Sequence, residues 1–269
     1  MRLLIPHHIT GFWLPHYTDD PLTTGSLGAG LLLEYAVATF REEGVYYNGM
    51  YMGGGPGVEI HTPYPLGYGY AGSAVLNIAR YVRLRGLSLE AFREAHVAEV
   101  AAGTGLGDVL AIYTGGCLVV RTKPGAPGVG QAEGYDCPSL AVVTVHIRHV
   151  ETREMLRSLR GALEAEGKRA LERAVDGDFY AFLETARSFS LAVGFLDREL
   201  DVEISKLKGV VGHYAKKGVL VVVAELDSLE EVLSYVRRLG PAVVCMLKRR
   251  AVTPANSPTV SQKNAQGRG

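Results

Sequence analysis

The sequence predicts an α+β chain, and three observations carry that reading. Strand-like runs lie at both ends, over residues 2–5, 26–39 and 45–47 and again over 140–147, 219–224 and 242–247. Two helical blocks, 74–102 and 151–196, stand between them. The two kinds of element do not alternate strictly, which argues against a doubly wound parallel sheet.

The elements follow in order. Residues 2–5 read as a short strand stopped by Pro6, and 11–24, with Gly11, Pro15, Asp19, Asp20 and Pro21, read as a loop. The Gly/Ala/Leu-rich stretch 26–39 reads as a buried strand, and 45–47 as a second one turned by Asn48-Gly49. Residues 52–70 are crowded with Gly, Pro and Tyr and read as loop. From 74 to 85 no glycine or proline occurs, and Val75, Ile78, Ala79 and Val82 recur at helical spacing until Gly86 ends the run. Ser88 caps the next helix, Gly103 to Gly107 breaks it, and a short helix runs over 108–113. Residues 117–121 read as a strand, 123–130 as a Pro/Gly loop, and 140–147 as a β-branched central strand. The block 151–196 is helical with a break at Asp176-Gly177. A strand over 219–224, a helix over 227–239 and a strand over 242–247 complete the chain. That helix is capped by Asp227 with Glu230 or by Ser228 with Glu231. Residues 251–269 are polar and read as a disordered tail, giving expected lobes of 1–138 and 139–250.

Composition narrows the function classes. Lysine plus arginine equal aspartate plus glutamate, 28 each, so no global charge points to nucleic acid or an anionic membrane. No apolar run approaches the ~18 residues of a membrane span, and the N-terminal run is too short for a signal peptide. Cys117, Cys137 and Cys245 are far apart and none sits in a CxxC pair, so neither a zinc site nor a disulfide is expected. The expected location is the cytoplasm. Oligomeric state is not read from the sequence, and a homodimer is compatible with it.

Chemistry concentrates in two segments. In the first, Pro65-Leu66-Gly67-Tyr68-Gly69-Tyr70-Ala71-Gly72-Ser73 opens directly into a helix. Glycines let a backbone approach phosphate closely, and a helix N-terminus favours anions. The same glycines would also serve a tight turn and close helix packing. The letters Gly67-x-Gly69-x-x-Gly72 match the dinucleotide fingerprint, but Pro63 and Pro65 stand where its strand should be and a second helix follows. No Walker A sequence and no protein-kinase signature occurs. In the second segment, Glu99 closes a helix that also carries His96, and Asp108 follows the Gly-rich turn 103–107. Phosphoryl transfer uses one carboxylate for Mg²⁺ and another to orient the acceptor hydroxyl. The alternatives are plain: Asp108 as a helix cap, Glu99 as a solvated side chain, His96 as a hydrogen-bonded helix residue.

Taken in order, these segments resemble the GHMP kinases (galacto-, homoserine, mevalonate and phosphomevalonate kinases). The match narrows to the archaeal pantoate kinases through residues 5–12, 25–30, 95–99, 103–116 and 123–128. The resemblance covers about residues 1–130 well. It implies an N-terminal lobe like ribosomal protein S5 domain 2 and a ferredoxin-like C-terminal lobe. It implies ATP and Mg²⁺ as cofactors, pantoate as acceptor, and 4-phosphopantoate as product on the route to coenzyme A. By position it implies Pro65, Gly67, Gly69, Tyr70, Ala71, Gly72 and Ser73 at the nucleotide, Glu99 at the metal and Asp108 at the acceptor hydroxyl. His8, Thr10 and Ser26 are assigned to the acceptor pocket. Two departures stand out: Ala71 replaces the usual serine, and the family's last Gly-rich motif is reduced to Leu239-Gly240-Pro241-Ala242. A kinase for homoserine or shikimate, or a non-catalytic nucleotide-binding relative, are the rival readings.

Overall fold

The computed structural model describes residues 2–147, 159–173 and 176–255. The first sheet is built on a long antiparallel pair, β1 (Arg2–His16) and β2 (Gly25–Tyr47). β1 does not stop at Pro6. Register shifts at Pro6/His8 and Thr10/Phe12 absorb the proline and let the strand continue. β3 (Met50–His61) pairs with β2 alone, although its Gly53-Gly54-Gly55-Pro56-Gly57 run reads as loop. An edge strand tolerates such residues, because one side of its backbone needs no partner.

Three helices follow: α1 (Gly72–Arg85), α2 (Leu89–Ala102) and α3 (Asp108–Thr114). Their apolar faces, with Val75, Ile78, Val82, Phe92, Val109 and Ile112, share one core with Leu3, Ile5, Val58 and Ile60 of the sheet. Ser88 caps α2 as expected, its side chain accepting from the Ala91 amide. β4 (Leu118–Lys123) and β5 (Gln131–Tyr135) extend the first sheet beyond β2.

Cys117 and Cys137 form a disulfide, overturning the expectation that the cysteines are unpaired. The antiparallel β4–β5 ladder supplies the reason, since it brings the start of one strand beside the end of the other. Intracellular disulfides are a feature of hyperthermophiles, so the pairing alone does not exclude a cytoplasmic protein. Among the described residues no helix is long and apolar enough to cross a membrane.

The second sheet has the order β7-β8-β6-β9 and is antiparallel throughout. Its strands are β6 (Ala141–His146), β7 (Val210–Lys216), β8 (Val219–Ala224) and β9 (Ala242–Met246). Between β6 and β7 lie α4 (Arg160–Glu172), α5 (Phe179–Val193) and α6 (Arg198–Ser205). Between β8 and β9 lies α7 (Leu229–Val236). This βαββαβ order is ferredoxin-like. Ser228 stands at the start of α7 without a side-chain cap bond, so neither expected capping box forms. The first eight residues of the expected helical block, 151–158, lie outside the described residues.

The two sheets share a core through α5. Phe182 meets Phe12 of β1 and Tyr214 of β7, and Phe189 meets Trp13. The start of the expected disordered tail is ordered: β10 (Thr253–Pro254) pairs with Leu3 and Leu4, and the Ala255 amide donates to the Arg2 carbonyl. Val252 packs against the first core, which gives this polar stretch its apolar anchor. Residues 256–269 lie outside the described part.

Candidate active site

A cavity of about 240 Å³ opens where the first sheet, the glycine-rich segment, the N-terminus of α3 and the β7–β8 hairpin meet. Gly67, Gly69, Ala71, Gly72 and Ser73 line one wall. Thr104 to Asp108 line another, and Leu66, Thr10, Trp13, Ser26, Arg121, Lys216 and Lys217 complete it. Pro65 and Tyr70 of the expected nucleotide set are not in the lining.

Two adjacent histidines at the bulge of β1 support the two walls. His7 and His8 are both fully buried, and burial lowers each pKa to about 4, so both are neutral at neutral pH. His7 Nδ1 donates to the Tyr70 carbonyl at 2.7 Å, and its Nε2 accepts from the Thr62 hydroxyl at 2.7 Å. That pins the glycine-rich segment to the sheet, with Tyr70 packed on Tyr64 behind it. His8 Nδ1 donates to Asp108 Oδ1 at 2.6 Å, which leaves Nε2 to accept from Arg121 Nη1 at 3.4 Å. His8 therefore stands behind Asp108 and does not line the cavity, unlike Thr10 and Ser26.

Asp108 does not cap α3. Gly107 occupies the cap position, with no side-chain bond, and the Asp108 carboxylate turns to His8. Burial pushes its carboxyl up, but Lys216, the His8 bond and Arg121 outweigh that and hold it well below the usual range. Asp108 is therefore an anion throughout the neutral range.

Glu99 is likewise no solvated helix residue, being 2% exposed. It accepts from Ser73 Oγ at 2.9 Å and from Asn77 Nδ2 at 2.7 Å. Burial pushes its carboxyl up to about 7, opposed by the Ser73 bond and reinforced by the charge of Asp108. The two carboxylates converge over Gly105, where an added Cβ would stand 2.7 Å from Glu99 Oε2 and 3.3 Å from Asp108 Oδ2. Gly107 is as tightly held: its Cβ would meet Ser26 Oγ at 2.5 Å and Arg121 Nε at 2.7 Å. His96 Nε2 donates to the Thr24 carbonyl at 2.9 Å and so holds the entry to β2, outside the cavity.

Three cationic residues of the wall escaped the sequence reading. Arg121 is 1% exposed, and burial lowers it to about 10 against the pull of Asp108, so it keeps its charge. Lys216 and Lys217 stand at the tip of the β7–β8 hairpin, nearly a hundred residues along the chain from Arg121. Arg121 ends a segment that reads simply as a strand, and the lysines sit in a polar turn. Neither pattern signals a site; a burial signal exists only in three dimensions. The reduced motif Leu239-Gly240-Pro241-Ala242 joins α7 to β9 and does not line the cavity.

Over 94% of this chain the fold matches a homoserine kinase structure from Listeria monocytogenes (TM-score 0.59, 14% identity, 98% of that chain). It matches a mevalonate diphosphate decarboxylase from Enterococcus faecalis over the same share (TM-score 0.61, 15% identity, 98% of that chain). A structure described as a phosphotransferase related to the CoA biosynthesis pathway matches more closely, with TM-score 0.79 and 25% identity over 94% of this chain and 97% of that one. The fold is thus that of the GHMP kinases. No family-wide sequence profile matches the chain. Individual relatives do. A pantoate kinase of Thermococcus kodakarensis is 32% identical over 235 residues, 74% of this chain and 78% of its own. One of Methanocaldococcus jannaschii is 25% identical over 271 residues, 90% of this chain and 98% of its own. The chain belongs to the pantoate kinase family.

Proposed function

We propose that the chain transfers the γ-phosphoryl group of ATP to a hydroxyl of (R)-pantoate, giving ADP and 4-phosphopantoate for coenzyme A synthesis. The observation that carries this reading is Asp108: an ionised carboxylate, fixed by a neutral histidine, facing a cavity between a glycine-rich helix start and a buried arginine.

The division of labour follows from the walls. Backbone amides of Gly67 to Gly72 and the N-terminus of α1 suit the triphosphate. Glu99 is a buried carboxylate beside a serine hydroxyl and a second carboxylate, a donor set that suits Mg²⁺. Ser73 reaches Glu99, and so supplies the hydroxyl that Ala71 lacks. Bound there, magnesium would neutralise charge on the phosphate oxygens. Asp108 accepts the pantoate hydroxyl proton as that oxygen bonds to the γ-phosphorus and the bond to the ADP oxygen breaks. The proton then passes to solvent. Because the Asp108 pKa is low, its main task is to orient the hydroxyl and hold the proton late in the transfer. Arg121, with its planar donors beside Ser26, suits the pantoate carboxylate. Thr10 and Ser26 suit the neighbouring hydroxyls. We assign residues 1–138 and 139–250 as the two lobes, and we place the reaction in the cytoplasm, where ATP is supplied.

The test is ADP release from ATP and Mg²⁺ with pantoate, homoserine, mevalonate and shikimate. Turnover with pantoate alone is expected. Turnover with another acceptor and not pantoate would discard the acceptor assignment, and ATP binding without any turnover would point to a non-catalytic relative.

A further inference from the structure

Among the described residues two hairpins have two-residue turns, and they follow different rules. Between β2 and β3 the turn is Asn48-Gly49, with φ of 49° and 79° and the pair Tyr47↔Met50 closing it. Asparagine and glycine are the residues that tolerate left-handed backbone in such turns. Asn48 also uses its side chain locally, donating to the Thr62 carbonyl and accepting from the Thr62 amide, both at 2.9 Å. That turn is exposed to solvent.

Between β7 and β8 the pair Lys216↔Val219 closes a turn of Lys217-Gly218, with φ of 62° and 147°. A lysine stands where the other hairpin has asparagine. A long side chain gains nothing from left-handed backbone and is strained by it. Lys217 is also only 4% exposed, at the tip of a hairpin, where side chains usually reach water. The tip is anchored, since the Ile147 amide donates to the Gly218 carbonyl at 2.8 Å. The lysine stem lies over the glycine-rich segment: a Cβ added at Gly69 would sit 3.4 Å from Lys217 Cδ. Both residues line the one cavity described above.

Strain and burial at the same residue point to a ligand that the lysine serves. We propose that Lys217 is a phosphate-binding residue for the nucleotide, supplied by the second sheet, so that the triphosphate is held between Gly67–Gly72 on one side and the β7–β8 tip on the other. The proposal rests on the kinase reading and adds to it a residue outside the first 138. It also gives the second lobe a direct role in nucleotide affinity, which the resemblance confined to the glycine-rich segment.

The test compares full-length wild type with K217N, K217G and K217R. ATP affinity is read by calorimetry with ATP and Mg²⁺, alongside kcat and KM for both substrates and thermal midpoints. Asparagine and glycine relieve the backbone strain, so both variants are expected to melt at or above the wild-type temperature while ATP affinity falls at least tenfold and the pantoate KM stays within about threefold. K217R, which keeps strain and charge, is expected to stay within a fewfold of wild type for ATP. ATP affinity within twofold of wild type in K217N and K217G would overturn the proposal, as would a lowered melting temperature with unchanged ATP binding. A wild type that binds ATP but ignores pantoate, with binding weakened in K217G, would uphold the lysine and sink the acceptor assignment. A wild type that does not bind ATP would sink both.

Discussion

Two clusters of buried charge can be compared within this chain. In the second lobe, Asp201 of α6 is gripped by Arg187 of α5 through two bonds of 2.6 and 2.7 Å, and by His213 of β7 at 2.8 Å. The Arg187 bond, helped by His213, holds the Asp201 pKa below its usual value against burial, while burial lowers that of His213. One cation meets one anion directly, with the His213 ring bonded to the same carboxylate, and the charges balance. In the cavity, Asp108 faces Arg121 and Lys216 together. Two cationic side chains share one carboxylate, and the surplus faces open space. A closed cluster supports a fold, whereas one left with excess charge beside a cavity is built to be completed by something else. Here that partner is anionic, as a nucleotide triphosphate and a carboxylic acid substrate are.

The contrast can be broken by substitution. The largest effect is expected from Asp108→Ala: a fall in kcat of about 10²–10⁴-fold, with ATP affinity changed only a fewfold. Because removing this carboxylate leaves Arg121 and Lys216 buried without their anion, the thermal midpoint is expected to fall; steady-state kinetics at a temperature where a melting curve shows both proteins folded separates the two effects. A kcat within fivefold of wild type would end its role in the reaction. Arg121→Lys keeps the charge and loses the planar fork, and is expected to raise the pantoate KM by about 10–100-fold while the ATP KM moves little. The reverse pattern would reassign Arg121 to the nucleotide. The smallest effect on activity, and a clear one on stability, is expected from Asp201→Asn. Breaking a buried pair costs about 3–5 kcal/mol, and partial exposure of Arg187 reduces that here to about 2 kcal/mol. Turnover should be unchanged. The pH dependence has a definite sign. Asp201 has a lowered pKa in the fold, so its contribution is fully present above its unfolded value of about 4 and is lost as pH falls through the folded one. Denaturant curves for wild type and D201N should therefore separate at neutral pH and converge in acid.

Much of the arrangement was legible from local pattern alone. Helical spacing at Val75, Ile78, Ala79 and Val82, the Ser88 cap and the Asn48-Gly49 turn each reflect forces acting within a few residues, and each stands where expected. So does the Gly-rich start of α1. The misreadings have a common cause. Pro6 suggested the end of a strand, the glycines at 53–57 suggested a loop, and the polar residues after 250 suggested disorder. Each is nonetheless part of the first sheet, because a bulge, an edge position and a docking valine compensate for what the local sequence lacks. Edge strands β5 and β7 carried too little periodicity to be noticed, and with them went the Cys117–Cys137 pairing and the lysines at 216 and 217.

The sequence by itself determined the α+β class, the order of the helical blocks, and the three residues to which we assign the chemistry, namely Ser73, Glu99 and Asp108. These lie in segments whose composition is unusual in its own right, since a run of glycines before a helix and an acid after a glycine turn are local signals. Only the tertiary structure decided what surrounds them. It set His8 behind Asp108 and outside the pocket, buried Glu99 against Ser73, and carried Arg121, Lys216 and Lys217 to one cavity from a strand of one sheet and a hairpin of the other. A single arginine or lysine is an ordinary residue in any sequence. Its burial beside a carboxylate results from long-range packing, and no window of neighbouring residues contains that information.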